Sequence, residues 1–229
     1  MSSLYAIADL HLSSTDSYKP EVYKGFSHWK DKIEANWRRI VREGDTVVLA
    51  GDVSFAKTLG EAADDFAFLE SLPGKKIIVR GNHDSWWGTL SKMTAYAAEN
   101  GFRSIGFLKN SMFPFGEYAI CGTKGEDITS DDEHDKKILR RERERLFMSL
   151  KTAEECALQP IVFTHFPPAL TYTADDEAIS IMKNFGVKRC FYGHLHGEHT
   201  KSGFIGQKSG IEMRLISADF VQFSPIFIV

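Results

Sequence analysis

The chain has 229 residues, of which 43% are hydrophobic and 26% charged, and it carries a formal net charge of −3. This composition argues against a disordered chain and against a membrane span, and the length suits a single domain over residues 1–229 with a substantial core. The mildly acidic balance also disfavours a nucleic-acid-binding surface, which needs a basic excess.

Cys121, Cys156 and Cys190 are odd in number, far apart and without C-x-x-C spacing. Neither a disulfide framework nor a thiolate zinc site is expected, and a reducing compartment follows. A first strand beginning by Leu4 leaves no room for a signal peptide, so the cytoplasm is the expected location.

Leu4 to Ala8 is a short apolar run ending in Asp9-Leu10-His11, followed by a polar loop from Ser13 to Pro20. Phe26, Trp29, Ile33, Trp37 and Ile40 have helical spacing with one buried face. Gly44-Asp45 breaks that helix, and Thr46 to Ala50 reads as a buried strand ending in Gly51-Asp52. A second helical pattern, Gly60 to Leu72, stops at Pro73-Gly74. Ile77-Ile78-Val79 is then a strand that runs into Gly81-Asn82-His83-Asp84. Short, continuously apolar strands alternating with helices are the pattern of parallel β-α-β units.

A helix is expected over Thr89 to Glu99, and antiparallel hairpins between Phe102 and Thr123, where Gly, Pro and Asn split the apolar pieces. Ser130 to Leu158 is the longest helical candidate, its mixed charges reading as a solvated face laced with ion pairs. Strands at Ile161 to Thr164 and Arg189 to Tyr192, with a helix near Asp175 to Asn184 between them, end in His165 and in Gly193-His194-Leu195-His196. Ile211 to Ile216 and Val221 to Val229 read as closing strands.

Five strands therefore end in metal-ligating side chains: Asp9 and His11, Asp52, Asn82, His165, and His194 with His196. Ligands gather at the carboxyl ends of parallel strands, so these can meet despite their separation in sequence. Asp9/His11 and His194/His196 are two apart, and in extended chain such residues point the same way. Four histidines, two aspartates and an asparagine offer nitrogen and oxygen but no sulfur, a set that suits Mn, Fe or Zn, and also Co or Ni. Seven ligands exceed what one catalytic ion holds and suit two divalent metal ions, with Asp52 as the natural bridge.

Asp9-Leu10-His11, Gly51-Asp52, Gly81-Asn82-His83-Asp84, His165 and Gly193-His194-Leu195-His196 resemble, in order, the five motifs of the calcineurin-like metallophosphoesterases. The resemblance implies an α/β fold, a four-layer αββα sandwich of two mixed β-sheets flanked by helices. It assigns Asp9, His11, Asp52 and His196 to one metal and Asp52, Asn82, His165 and His194 to the other. It makes His83 the catalytic proton donor or transition-state stabiliser, with Asp84 orienting its ring. Val53-Ser54-Phe55 lacks the arginine that follows Gly-Asp in the protein phosphatases of the family, and only Gly197 to Val229 remains for any added DNA-binding domain. What is left resembles the small stand-alone phosphohydrolases, whose substrates the motifs do not specify.

The expected reaction is hydrolysis of a phosphomonoester or diester, with water activated by the ions attacking phosphorus in line and His83 assisting the leaving group. A small phosphorylated substrate is expected, with no stable nucleic-acid complex and no membrane. The competing readings are a catalytically idle scaffold that binds a protein partner, and a nuclease-type phosphodiesterase. Outside the motifs, Trp86, Trp87 and Lys124 are candidates for substrate contact, Phe166-Pro167-Pro168 stiffens the loop after His165, and His28, His134 and His199 are surface histidines without a role.

Overall fold

The computed structural model describes residues 2–13 and 27–229, so the predicted loop after Ser13 and the predicted helix start at Phe26 lie outside the described residues. In chain order the first half contains β1 (Leu4–Ile7), α1 (Trp29–Ile40), β2 (Thr46–Ala50), α2 (Ala63–Ser71), β3 (Lys75–Val79), α3 (Leu90–Glu99) and β4 (Ile105–Phe107). The second half contains β5 (Phe113–Phe115), β6 (Tyr118–Thr123), α4 (Glu133–Glu155), β7 (Gln159–Thr164), α5 (Asp176–Asn184), β8 (Arg189–Tyr192), a 3-10 segment (Gly197–Ser202), β9 (Gly206–Lys208), β10 (Ile211–Leu215) and β11 (Ile226–Phe227).

These strands form two sheets, ordered β11-β1-β2-β3-β4 and β5-β6-β7-β8-β10-β9. Each is mixed: β1 to β4 pair in parallel with antiparallel β11 at one edge, and β6, β7, β8 and β10 pair in parallel with antiparallel edges β5 and β9. Period-two alternation within each apolar run separates two cores. Leu4, Ala6, Val48, Ala50, Ile77 and Val79 face Ile120, Ile161, Phe163 and Phe191 of the other sheet. Ile7, Val47, Leu49 and Ile78 instead face the helices, packing with Ile33 and Trp37 of α1 and Phe66 and Leu69 of α2. On the far side, Leu146 and Leu150 of α4 and Ile179 and Met182 of α5 cover Val162, Cys190 and Tyr192. The result is the four-layer αββα sandwich.

Two expectations need correction. The segment from Phe102 to Thr123 holds only one hairpin, β5–β6; β4 instead pairs in parallel with β3, because α3 carries the chain back across the sheet. Val221 to Val229 contains a two-residue strand only, since turns occupy Val221 to Phe223 and both Gln222 and Phe223 have positive φ. The ion-paired face of α4 is present: Lys136 meets Glu133, Lys151 meets Glu154, and Arg143 meets Asp175 of the neighbouring loop at 2.9 Å.

Lys76 is a fully buried cation within β3, its ammonium donating to the Leu72 carbonyl and, at 3.1 Å, to the Ser104 hydroxyl. Burial pulls its pKa from 10.5 down to about 8. Between those two values the unfolded chain holds a proton that the folded protein has shed, so stability rises with pH across that window. Against a Lys76→Met reference, the native protein should gain about 2–3 kcal/mol between pH 8 and 10.5. Urea unfolding of both proteins at several pH values checks this.

Candidate metal centre

The parallel registers bring the strand ends together. Ile7 pairs with Leu49, Ala50 with Val79, and Tyr192 with both Thr164 and Leu215, so the loops that follow emerge along one edge of the sandwich. Two groups of ligand atoms assemble there, Asp9 with His11 and His196, and Asp9 with Asp52 and His165. In the first, His196 Nε2 lies 3.4 Å from Asp9 Oδ1 and 3.1 Å from His11 Nε2. In the second, His165 Nε2 lies 3.4 Å from Asp52 Oδ2. Asn82 Oδ1 joins it, 2.7 Å from His165 Nε2 and 3.0 Å from His194 Nδ1. All seven predicted ligands thus lie in one neighbourhood. The carboxylate common to both groups is Asp9, whereas the sequence pattern singled out Asp52.

The backbone achieves this by left-handed turns. Asp9, His11, Asp52 and His194 all have positive φ, between 46° and 72°. Non-glycine residues are uncommon there, and the strain is typical of residues held for function. The extended-chain argument for the Asp9/His11 and His194/His196 pairs therefore does not describe these loops; only His196 is extended, at φ −122°. Gly81 and Gly193 are required by close approach: a Cβ on Gly81 would collide with the backbone nitrogen of Asp52, and one on Gly193 with the Asp9 carboxylate.

Electrostatics fit a cation. Asp9 and Asp52 are buried, and no Lys or Arg pairs with either among the described residues. Burial alone would raise both carboxyls, yet His196 and His165 beside them hold each below the usual carboxylate range. The reciprocal effect lifts His165 to about 9 and His196 to about 10 against the downward pull of burial, through Asp52 and Asp9 respectively. His11 and His194 go the other way, to about 4, because burial dominates. They stay neutral and keep a lone pair. Two buried carboxylates therefore draw protons onto two imidazoles whose nitrogens also suit a divalent cation, and a bound cation would satisfy the same charge.

Asp84 has another position than the one expected. Its carboxylate accepts the backbone N–H groups of Gly81 (2.7 Å), Asp52 (3.0 Å), Val53 (2.9 Å) and Ser54 (3.2 Å), and the Trp86 indole N–H (3.1 Å). Burial and the charge of Asp52 push it up to about 7, while the Gly81 and Ser54 N–H groups pull it back. It makes no hydrogen bond to the His83 ring. Asp84 ties the Asp52 loop to the Asn82 loop, and Trp86, 3% exposed, is core filling beneath them. His83 stands free of it, half-exposed, with Nε2 3.9 Å from Asp52 Oδ2 and its ring against Phe55 and His11.

Asp219 escaped the sequence pattern. Its Oδ1 lies 2.9 Å from His196 Nδ1, and its Oδ2 accepts the Gly197 N–H at 2.8 Å, fixing the ring that presents Nε2 to Asp9. The available signal was an aspartate four residues beyond the end of β10, the same strand-then-ligand grammar as elsewhere. Such partners raise ligand basicity and hold the ring, so Asp219→Ala should weaken metal affinity about 10–100-fold. Competition against a chromogenic chelator measures the change. His28 and His134 are exposed, as expected, and His199 lines a cleft beside His194 and His196.

Residues 2–198 match the family model described as calcineurin-like phosphoesterase. The chain belongs to that family. That family is one of phosphoesterases, and the Asp/His clusters suit divalent metal binding. The uncharacterized protein MJ1445 of Methanocaldococcus jannaschii is 28% identical over 88 residues, 38% of this chain and 49% of that protein. The match thus spans about half of that relative's length. Among solved structures, the protein of unknown function AQ665 from Aquifex aeolicus is similar at TM-score 0.56 and 15% identity, covering 99% of this chain and 96% of that one. Phosphopantetheinyl hydrolase from Mycobacterium tuberculosis is similar at TM-score 0.53 and 15% identity, covering 98% and 95%. Both show the same fold. No helix among the described residues is long and apolar enough to cross a membrane.

Proposed function

We propose that the chain is a phosphohydrolase that works with two divalent cations, Mn, Fe or Zn by donor type, on a small phosphorylated substrate. The observation that carries this reading is the convergence of all seven donors into two adjoining groups that share a buried carboxylate. Asp9, His11 and His196 would hold one ion and Asn82, His165 and His194 the other, with the buried carboxylates of Asp9 and Asp52 available to be shared between them. Such ions acidify a coordinated water and offset the charge of a phosphoryl group.

The protein's own groups supply the rest. Asp84 and Asp219 hold ligands in place, and four positive-φ residues fix the loops. His83 has its Nε2 close to Asp52 and nearly half its side chain open to solvent. From there it can deliver a proton to the departing oxygen. Beside His194 and His196 a cleft walled by Phe166, Leu170, Tyr172 and Leu195 offers apolar surface to the organic part of the substrate. Glu126 and Asp127 also line it, which disfavours a nucleic-acid backbone and supports a small substrate. The presence of every donor and of His83 weighs against an idle scaffold.

Elemental analysis of the purified protein, followed by assays with added Mn²⁺ on p-nitrophenyl phosphate and bis(p-nitrophenyl) phosphate, tests the proposal. About two equivalents of transition metal and metal-dependent release of p-nitrophenol are expected. A metal-free protein that takes up no Mn²⁺ would remove the basis for it.

A further inference from the structure

A second, cation-rich pocket is built partly on residues near in the chain to, or backbone-bonded to, the Asn82 and His165 donors, and the family motifs do not account for it. Arg80, Trp87, Lys109, Lys124 and Arg145 line it, together with one acid, Glu142. It is joined to the centre through the backbone on two sides. Arg80 is two residues before Asn82, and the Lys124 carbonyl accepts the His165 N–H at 3.2 Å.

Its charges do not cancel. Arg145 pairs with the buried Glu142, which also bonds the Thr123 hydroxyl, and Lys124 pairs with Glu126 at 2.5 Å. Arg80 and Lys109 have no carboxylate partner among the described residues. Among the described residues the buried Arg80 Nε has no hydrogen-bond partner, and the Lys109 ammonium donates to the Gly88 carbonyl alone, at 2.6 Å. Burial, then the proximity of Arg145 and Arg80, lowers the Lys109 pKa, so these cations feel one another. A guanidinium donor buried without an acceptor is costly, and an anion relieves both the lost hydrogen bond and the repulsion. Trp87, packed edge-on against Phe107 with ring centroids 5.9 Å apart, gives the pocket an aromatic wall.

We propose that Arg80 and Lys109 bind a second phosphoryl group of the substrate, so that the molecule hydrolysed at the metal centre carries two. This rests on the phosphohydrolase reading above. The excess of two unpaired cations matches the charge of a phosphate, and the two residues of chain from Arg80 to Asn82 span at most about 7 Å, a separation that one small bisphosphorylated molecule can bridge.

The test compares the Mn²⁺-loaded native protein with an Arg80→Gln/Lys109→Gln variant. Substrates are p-nitrophenyl phosphate, with one phosphoryl group, and adenosine diphosphate and a hexose bisphosphate, with two adjacent or separated ones. For the doubly phosphorylated substrate that is cleaved, KM should rise about tenfold or more in the variant, while p-nitrophenyl phosphate changes by less than about twofold. Calorimetric titration with inorganic phosphate should show two sites in the native protein and one in the variant. Arg80→Lys, which keeps the charge, should retain both and guards against a folding defect. A single phosphate site in the native protein, two in the double variant, or an equal rise in KM for every substrate would overturn the proposal. If no substrate is cleaved but the variant still loses one phosphate site, the anion pocket stands and the hydrolase reading falls.

Discussion

Asp84→Ala should unfold the metal edge of the protein rather than slow a competent enzyme. Four backbone N–H groups and one indole N–H converge on this carboxylate, and all but the indole come from the two loops that carry Asp52 and Asn82. Alanine would leave these donors buried and unmatched. Each such donor costs about 1–3 kcal/mol, and with some water re-entering the gap the total loss should be about 4–5 kcal/mol. Asp84→Asn keeps the shape but turns an NH₂ toward donors, so it should lose a large part of the same stability. Urea unfolding gives the stability and elemental analysis the metal content. A residue that only steered the His83 ring would instead lower kcat and leave both quantities intact.

That contrast marks where sequence reasoning reaches its limit. The order Asn82-His83-Asp84 shows a carboxylate next to an imidazole, and adjacency suggests that one orients the other. Neighbouring side chains in a turn need not face each other, however. Here the Asp84 side chain is turned toward the loop after β2, and its partners come from residues 52 to 54 as well as from its own loop. No local pattern in the sequence announces hydrogen bonds to backbone some 30 residues away.

The sandwich itself was far more legible. Thr46 to Ala50 and Ile77 to Val79 are apolar at almost every position because both faces of a parallel sheet are covered, and such runs stand out from alternating antiparallel strands. What could not be read was pairing direction at the edges. β4 is three residues long, with Gly106 at its centre, and looks like one arm of a hairpin until α3 is seen to return the chain in parallel. The convergence of Asp9, Asp52, Asn82, His165 and the His194/His196 pair was legible for a topological reason, since parallel strands deliver their carboxyl ends to one edge. The way each side chain turns inward was not. Left-handed φ at Asp9, His11, Asp52 and His194 replaces the extended geometry that two-residue spacing suggests. Asp219 shows the same limit from the other side: it follows a strand, as the ligands do, but supports a ligand ring instead of joining the donors.

His83→Ala should separate chemistry from metal binding. The imidazole is not among the close donor contacts: its Nε2 is 3.9 Å from Asp52 Oδ2, and its ring rests beside Phe55, at 5.1 Å between centroids, and His11. Its backbone N–H does bond Asp52 Oδ1 at 2.8 Å, and alanine keeps that N–H. Metal content and unfolding midpoint should therefore stay close to native. Turnover should fall by a factor on the order of 10²–10⁴, the range for losing a positioned general acid. The size of the loss should depend on the leaving group. p-Nitrophenolate departs without a proton and should suffer least, whereas an alkyl phosphate, whose alkoxide needs protonation, should suffer most. Equal losses on both esters would place His83 in charge stabilisation at phosphorus, and full activity with metal bound would deny it any part in the reaction.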